Sequence, residues 1–323
     1  MSNKPILAAP VEGAAFRHFF LKDVNPLGGR TKRRHISAPN AQMREVHSAL
    51  ISYLRSLPAD LSAATGARKC HSSITNIFPH RNNRYFLLLD IKDAYGTVDE
   101  EKLVQVLLEL DPTLPRDLFG SEVVTQFLQR YCLNNKGGLL TGAPASPDLY
   151  NLYVAVLLDS KLIELCKQYG LTYTRYLDDI TLSSMTRIGK KKRQAIYGLM
   201  REAGLVIHES KTQILDLNRG PVKIAGFTLN QNRSIILPRS YLGKIRGAIH
   251  NAIEKGLCDK ATQVQISGMM SQLLASLQDP SVRRKGGRRY RRRPNSTEKR
   301  VMDRYCAYRQ LCAQTISPKL ATS

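Results

Sequence analysis

Two adjacent acids, Asp178 and Asp179, lie between two runs of alternating residues in the segment YTRYLDDITLSS (173–184). A period of two is typical of β-strands, so this segment predicts a tight hairpin with both acids at its tip. An acid pair in such a turn is usually a solvated turn feature, and so is a lone acid such as Asp90, which ends the apolar run YFLLLD (85–90). If the two strands are neighbours in one sheet, however, three carboxylates meet at one edge.

Three unpaired carboxylates at one site repel one another strongly, and divalent cations relieve that repulsion. Two metal ions roughly 3.5–4 Å apart can activate an attacking hydroxyl and stabilise the leaving oxygen of a nucleotidyl transfer. Hard oxygen ligands suit Mg²⁺. We therefore expect Asp90, Asp178 and Asp179 to hold two Mg²⁺ ions, with Mn²⁺ as the alternative ion, at a site that faces phosphates.

The charge balance favours the same class of partner. The 323 residues include 49 Lys and Arg against 26 Asp and Glu, a net charge of +23. Basic side chains release counterions from phosphates, so we expect a nucleic acid, although general solubility or an anionic membrane surface would explain the same balance. No apolar run is long enough for a spanning helix, and the N-terminus lacks a secretory pattern. The six cysteines lack zinc spacing and predict free thiols in the cytoplasm.

The periodicity of the rest of the chain predicts an α+β fold with a mainly antiparallel sheet. Helices are expected after Asn40, over 98–110, around 121–133, after the Gly/Pro-rich loop at 138–147, over 189–203, and from Ser240 to the basic C-terminus. Strands are expected at 85–91, 173–184, 204–215, 222–230 and 233–238.

Several short motifs, taken in order, resemble those of reverse transcriptases, and the finer match is to the retron reverse transcriptases of bacteria. The palm-like motifs are LDIKDAY (89–95), GLLTGAPASP (138–147), YLDD (176–179), GLVIHESKT (204–212) and IAGFTLN (224–230). The finger-like and retron-like motifs are RHISAP (34–39) and NIFPH (76–80). The resemblance extends from about residue 30 to about residue 275.

This resemblance implies a right-hand polymerase, with interleaved fingers and an antiparallel-sheet palm over 1–235 and a helical thumb over 236–323 that ends in a basic RNA-binding arm. It implies RNA-directed DNA synthesis from dNTPs on a structured noncoding RNA. A retron enzyme starts from a 2′-hydroxyl of that RNA, makes a branched RNA–DNA hybrid, and works with an effector protein in antiphage defence. No membrane partner is implied.

The resemblance also gives roles to single residues near the three acids. Lys211 matches a lysine that could protonate or neutralise the departing pyrophosphate, although Lys is usually a surface residue. Tyr95 matches an aromatic residue beneath the incoming sugar, where it would exclude a ribose 2′-hydroxyl; without the motif it would be a core aromatic. Gly142 would let the backbone approach the nucleotide closely. Thr141 stands where the family usually has Gln.

Other matched residues imply contacts to phosphates and RNA. The residues expected near the triphosphate are Arg34, Arg68 and Lys69, of which at least one is better explained as solvated. The residues expected to bind RNA are Asn76, His80, Arg288, Arg289, Arg291, Arg292 and Arg293. The arginines belong to the basic block RRKGGRRYRRR (283–293), whose Tyr290 could stack on a base. His80 alone would more often be a packed structural histidine.

Four other functions compete with the retron enzyme. Stand-alone defence-associated and group II intron-like reverse transcriptases share the same motifs. An RNA-dependent RNA polymerase uses similar carboxylates, but the aromatic Tyr95 and the YLDD motif disfavour it. An inactive palm could serve as an RNA-binding scaffold, which the three retained acids disfavour.

Overall fold

The computed structural model of the chain describes residues 4–22, 33–114, 118–283, 289–291 and 293–316, which divide into two compact units. The first unit is formed by Met1–Ser72 and Phe86–Ile214, and the second by Ser73–Tyr85 and Leu215–Ser323. The boundaries of these compact units differ from the predicted boundary between fingers–palm (1–235) and thumb (236–323). The division into fingers, palm and thumb remains a prediction.

The first unit opens with a 3₁₀ turn (Pro5–Leu7) and an antiparallel hairpin of β1 (Phe16–Lys22) and β2 (Arg33–Pro39). Helix α1 (Ala41–Leu54) follows where the sequence predicts it. Its N-cap is Asn40, whose side-chain oxygen accepts a hydrogen bond from Met43 N at 2.9 Å, as expected for a polar residue at a helix start. The helix buries the periodic face that begins at Met43.

A four-stranded sheet in strand order β4–β5–β3–β6 carries the predicted acids. Its strands are β3 (Tyr85–Asp90), β4 (Thr172–Tyr176), β5 (Asp179–Ser184) and β6 (Gln213–Asp216). The predicted hairpin is confirmed, but Tyr176 pairs with Asp179, so only Leu177 and Asp178 form the turn and Asp179 begins β5. Most of the predicted strand at 204–215 is irregular and includes a 3₁₀ turn (Glu209–Lys211), and only its end belongs to β6.

The later helices of the first unit match the predicted segments. They are α3 (Glu100–Leu110), α4 (Leu118–Tyr131), α5 (Ser146–Val154), α6 (Ser160–Tyr169) and α7 (Lys190–Glu202). A π-helical turn (Ala155–Asp159) joins α5 to α6, so the predicted long helix is interrupted. Apolar side chains such as Leu107, Leu128 and Leu149 are fully buried between these helices. None of the helices in the described ranges is long and apolar enough to cross a membrane.

The second unit contains a three-stranded antiparallel sheet and four helices in the described ranges. Its first segment comprises α2 (Ser73–Ile77) and a 3₁₀ turn (Phe78–His80), and its sheet comprises β7 (Val222–Ile224), β8 (Phe227–Leu229) and β9 (Ile235–Ile236). Its later elements are α8 (Arg239–Glu254), α9 (Lys260–Ser276), β10 (Gln278–Arg283), β11 (Arg289–Arg291) and α10 (Ser296–Ile316). The expectation of continuous helix after Ser240 is wrong at β10 and β11, which pair antiparallel.

Candidate active site

Asp90 and Asp178 lie side by side because the backbone joins their strands directly. Ile91 N donates to Asp178 O at 3.0 Å, and on the other side His208 N donates to Asp90 O at 2.8 Å. Asp90 therefore lies between the turn of the β4–β5 hairpin and the segment that leads to Lys211. Asp179 begins β5 next to Asp178, and the charges of Asp90 and Asp178 both act on it, so the structure places the three acids at one edge of the sheet.

Two of the carboxylates at this edge have raised pKa values. Burial, followed by the charges of Asp178 and Asp90, raises the pKa of Asp179 to about 6 against the opposing charge of Lys211. The pKa of Asp178 is raised as well, first by burial and then by Asp90, against the positive charges of Lys211 and Arg34. A cation at this edge would relieve the repulsion.

Lys211 supplies positive charge at this edge in the structure. Its Nζ lies 2.9 and 2.8 Å from the two carboxylate oxygens of Asp90, although the lysine side chain is 54% exposed. Across the described ranges, no group of three or more His, Cys, Asp or Glu side chains is arranged to hold a metal ion. The donors at the edge are still the hard carboxylate oxygens that suit Mg²⁺, and Lys211 occupies the carboxylate that a metal would need.

Tyr95 lies beside the carboxylates, half-buried against a second aromatic ring. Its ring packs edge-on against Tyr150 with 5.5 Å between centroids. Burial raises the pKa of Tyr95 to about 12, with smaller contributions from Asp178 and Asp148. The Tyr150 hydroxyl is buried and makes no hydrogen bond to any residue that the structure describes. The position of Tyr95 near Asp178 agrees with a contact to a bound nucleotide sugar, which stays a prediction.

Gly142 lies where the loop before α5 passes closest to β2. Its φ is +97°, and a Cβ there would lie 2.8 Å from Ile36 Cγ2 and 3.1 Å from Ser37 O. The neighbouring Thr141 O accepts a hydrogen bond from Ser37 N at 2.8 Å. The close packing of the loop on β2 therefore explains why a glycine is present at position 142, because a side chain there would push the loop away from the β1–β2 hairpin.

The three predicted triphosphate contacts occupy different environments. Arg34 is exposed on β2, and its charge acts on Asp178. The Arg68 guanidinium donates to Ala64 O at 2.7 Å and to Leu61 O, so it holds its own loop. Lys69 is exposed. Arg34 is the one of the three whose charge already acts on the carboxylates.

A buried ion pair contacts the turn of the β4–β5 hairpin, and it was not predicted from the sequence. Arg175 Nη2 lies 2.7 Å from Asp159 Oδ2, and both side chains are 0% exposed. Tyr173 OH also donates to Asp159 Oδ1 at 2.6 Å. Burial disfavours the charged guanidinium, but Asp159 outweighs burial and raises the pKa of Arg175. Two features of the sequence could have indicated this pair: Asp159 interrupts the apolar run VAVLLDS (154–160), and Arg175 takes one of the alternating positions of β4.

The same guanidinium reaches the turn that carries Asp178. Arg175 Nη1 donates to Leu177 O at 3.2 Å and to Asn151 Oδ1 at 3.0 Å. Asn151 Nδ2 in turn donates to Gly66 O at 3.0 Å, and a Cβ on Gly66 would lie 2.8 Å from Leu177 N. Leu177 has a φ of +56°, which is unusual for a residue with a side chain. Contacts from Arg175 and from the Gly66 backbone therefore hold the turn in a conformation that is unfavourable for leucine.

The remaining predicted RNA contacts lie in the second unit. Asn76 and His80 are both 0% exposed, and burial lowers the pKa of His80 to about 3. Side chains with no accessible surface favour a structural role, so their contact to RNA stays a prediction. Arg289 and Arg291 belong to β11, and Arg293 is exposed. Arg288 and Arg292 lie outside the described residues.

Comparison with known families decides what this site belongs to. Residues 22–235 match the family described as "Reverse transcriptase (RNA-dependent DNA polymerase)". The chain belongs to the reverse transcriptase family. The α+β fold and the RNA-directed DNA polymerase activity expected from the motifs agree with this membership.

Curated relatives of this reverse transcriptase are named as retron enzymes. The chain is 26% identical over 255 residues to the retron Ec86 reverse transcriptase of Escherichia coli, covering 78% of this chain and 74% of the relative. It is 26% identical over 245 residues to the retron Mx65 reverse transcriptase of Myxococcus xanthus, covering 72% and 56%. It is 25% identical over 266 residues to the retron Ec73 reverse transcriptase of Escherichia coli, covering 80% and 83%.

Among solved structures, the chain is similar to apo telomerase from Candida tropicalis, at 11% identity and a TM-score of 0.48, covering 98% of this chain and 59% of that one.

Proposed function

We propose that this reverse transcriptase is a retron enzyme of the bacterial cytoplasm. It copies part of a structured noncoding RNA into DNA, starts from a 2′-hydroxyl of that RNA, and leaves a branched RNA–DNA hybrid that acts with an effector protein in antiphage defence. The main structural support for a polymerase active site is that Asp90 lies next to Asp178 and Asp179 at one edge of the sheet. The relatives named as retron enzymes support the narrower assignment.

In this proposal the three carboxylates hold two Mg²⁺ ions. The bound ions supply activation of the attacking hydroxyl and charge stabilisation of the leaving pyrophosphate. Lys211 neutralises Asp90 in the structure and would be placed to neutralise the departing pyrophosphate when Asp90 holds a metal. Arg34, whose charge already acts on Asp178, meets the anionic triphosphate.

The first experiment tests the carboxylates. Asp178→Asn together with Asp179→Asn should abolish DNA synthesis on a primed RNA template and leave RNA binding intact, because the metal ligands are lost while the basic surfaces remain. The matched control is Glu101→Gln with Glu109→Gln, which removes two exposed carboxylates from α3. Full synthesis by the double Asp variant would refute the metal assignment.

A second experiment identifies the product in cells. The protein is purified from its native locus, half is treated with nuclease, and the bound nucleic acid is sequenced. A covalent RNA–DNA hybrid that disappears in the double Asp variant supports the retron enzyme. RNA without DNA, together with dNTP incorporation in vitro, favours a stand-alone reverse transcriptase, and RNA without any incorporation favours the scaffold.

Tyr95 is proposed to exclude ribonucleotides. Tyr95→Ala should raise incorporation of NTPs relative to dNTPs, because it removes the ring that would meet the 2′-hydroxyl. Tyr150→Phe is the control, since it keeps the ring stack and removes only a buried hydroxyl. An unchanged NTP-to-dNTP ratio in Tyr95→Ala would contradict this role.

The basic C-terminal arm is proposed to grip the structured RNA. Replacing Arg289, Arg291 and Arg293 with Ser should weaken RNA binding and flatten its dependence on salt, because fewer counterions are released. Replacing the exposed Arg187, Lys190 and Lys191 removes the same charge elsewhere and serves as the control. Equal losses in the two triple variants would show that total charge, rather than the arm, sets RNA affinity.

A further inference from the structure

One face of the β1–β2 hairpin carries four rings in a row, which we call the aromatic ladder: Phe16, His18, His35 and Phe20. His18 and His35 are stacked, with centroids 5.2 Å apart and planes 7° apart. Phe20 lies 5.2 Å from His35, and Phe16 lies 6.3 Å from His18. The strand register explains the row, because Phe20 is directly opposite His35 and residues two apart along a strand share a face.

The aromatic ladder begins in the core and ends in solvent. Phe16 packs edge-on against the buried His47 of α1 at 5.6 Å, and His18 Nδ1 lies 3.0 Å from the hydroxyl oxygen of the buried Ser37. His18 and His35 are exposed, and Phe20 is 57% exposed. The inner end is therefore fixed by packing, while the outer rings present open surface.

Positive charge surrounds the outer end of the aromatic ladder. The Arg33 guanidinium lies 4.7 Å from the ring centroid of Phe20. The strand sequences FRHFFLK and RRHISAP contain four Arg and Lys residues and no acid. Exposed rings interleaved with cations favour a polyanion that carries flat, stackable groups.

The ladder occupies the opposite face of the hairpin from the residue that acts on the catalytic edge. Arg34 pairs with Leu21 and alternates with Arg33 and His35, so it belongs to the other face. Its charge acts on Asp178. The aromatic ladder is therefore a surface separate from the triphosphate contacts proposed above.

We infer that the aromatic ladder is a binding site for single-stranded nucleic acid, in which unpaired bases stack on Phe20 and His35 and Arg33 meets the adjoining phosphate. Stacking on aromatic rings accepts any base, because every base has a flat π-face. Unpaired RNA and newly made single-stranded DNA share this chemistry. The inference deepens the proposed function by adding a contact for the unpaired strand, and it rests on that function only in requiring a nucleic-acid substrate.

The test measures base-dependent binding by the full chain. Fluorescence anisotropy is recorded with a six-nucleotide uridine RNA, the corresponding thymidine DNA, and an abasic DNA of equal length and charge. Phe20→Ala with His35→Ala should weaken binding of the two base-bearing strands roughly tenfold and leave the abasic strand unchanged. The matched control is Leu21→Ala, since Leu21 is 51% exposed on the opposite face and should change neither.

The two base-bearing strands distinguish the sources of the ligand: a larger loss with RNA assigns the ladder to unpaired RNA, and a larger loss with DNA assigns it to the product. Quenching of a 2-aminopurine base in the strand provides a second readout, which the double variant should abolish. Equal affinity of wild type and double variant for base-bearing strands, or an equal loss with the abasic strand, would overturn the inference. Incorporation of dNTPs on a long primed template is measured in parallel, so that failure of the ladder and failure of the proposed polymerase are separate results.

Discussion

The two hairpins of the first unit are built on opposite principles. The β4–β5 hairpin is largely buried and is held from behind by a fully buried ion pair, Arg175 with Asp159, which also fixes its two-residue turn. The β1–β2 hairpin is mostly exposed and carries stacked rings beside positively charged side chains. The first geometry suits carboxylates that must be placed accurately, and the second suits a flexible ligand of variable sequence.

The contrast between the two hairpins indicates which part of the first unit needs a rigid backbone. The turn that carries Asp178 is held by the charge of Arg175, by hydrogen bonds and by the absence of a side chain at Gly66. This is the support that a site with exacting geometry requires. A stacking surface has no such demand, because bases slide and exchange on a ring. Variants should therefore be costly in the β4–β5 hairpin and cheap in the β1–β2 hairpin.

The largest effect is expected from Arg175→Met, which leaves Asp159 buried without its charged partner. Such a change costs about 3–5 kcal/mol in the free energy of unfolding, measured by urea denaturation. The control Arg33→Met, on the exposed hairpin, should stay within about 0.5 kcal/mol. Adding Asp159→Leu to Arg175→Met should restore part of the loss, and a double variant less stable than the single one would contradict this account.

Gly66→Ala should have the next largest effect. The new methyl group would lie 2.8 Å from Leu177 N and 3.1 Å from the carbonyl carbon of Tyr176, so it must push the turn. We expect a loss of about 2 kcal/mol and a sharper loss of DNA synthesis than of RNA binding. Gly198→Ala, which meets nothing within 4 Å on α7, should be neutral or stabilising. Full synthesis by Gly66→Ala would show that the turn tolerates displacement.

Tyr173→Phe removes one hydrogen bond from the buried pair and keeps its packing. The bond joins a hydroxyl to the Asp159 carboxylate at 2.6 Å, so its loss should cost about 1.5 kcal/mol in thermal or urea unfolding. Tyr305→Phe removes an exposed hydroxyl contact to Ser267 and should cost less than about 0.5 kcal/mol. Equal costs in the two variants would mean that burial does not strengthen this bond.

The smallest effect is a pH dependence at the inner end of the β1–β2 hairpin, where Phe16 packs against His47 of α1. Burial lowers the pKa of His47, at the inner end of the aromatic ladder, from its usual 6.5. The unfolded state therefore binds more protons below that value, and the stability contributed by neutral His47 is lost as the pH falls. Amide exchange, corrected for its intrinsic rate, should show β1 and β2 losing protection between pH 7.5 and 5.5 while β4 and β5 do not. His47→Gln should remove the difference.

The sequence correctly predicts those helices, strands and turns that depend on residues close together in the chain. The strand ending at Asp90, the hairpin of Asp178 and the helix after Asn40 all follow from periodicity and capping, which act between near neighbours in the chain. The convergence of Asp90 with Asp178 could be proposed because a strand end and a hairpin turn can share one sheet edge only in a few ways.

What the sequence does not predict depends on distant contacts. The partner of Arg175 lies in the π-helical turn between α5 and α6, and no local rule joins it to β4. The engagement of Asp90 by Lys211 likewise depends on how an irregular segment crosses the sheet edge. The strands β10 and β11 form in a segment whose basic composition favours no regular structure. In each case the tertiary contact, rather than the local propensity, decides.

The π-helical turn at Ala155–Asp159 has a consequence for how this polymerase can change length. A π turn accommodates one more residue than an α-helical turn, so the extra residue is absorbed locally and the helices on either side keep their rotational phase. Deleting a single residue between 155 and 158 would be taken up by a return to α-helix, whereas a deletion in the α-helical turns of α5 would rotate one side of the helix relative to the other by about 100°. Asp159 would then no longer face Arg175. We therefore expect a one-residue change of length to be tolerated at the π turn and, elsewhere in α5, to disconnect the turn that carries Asp178 from the buried ion pair.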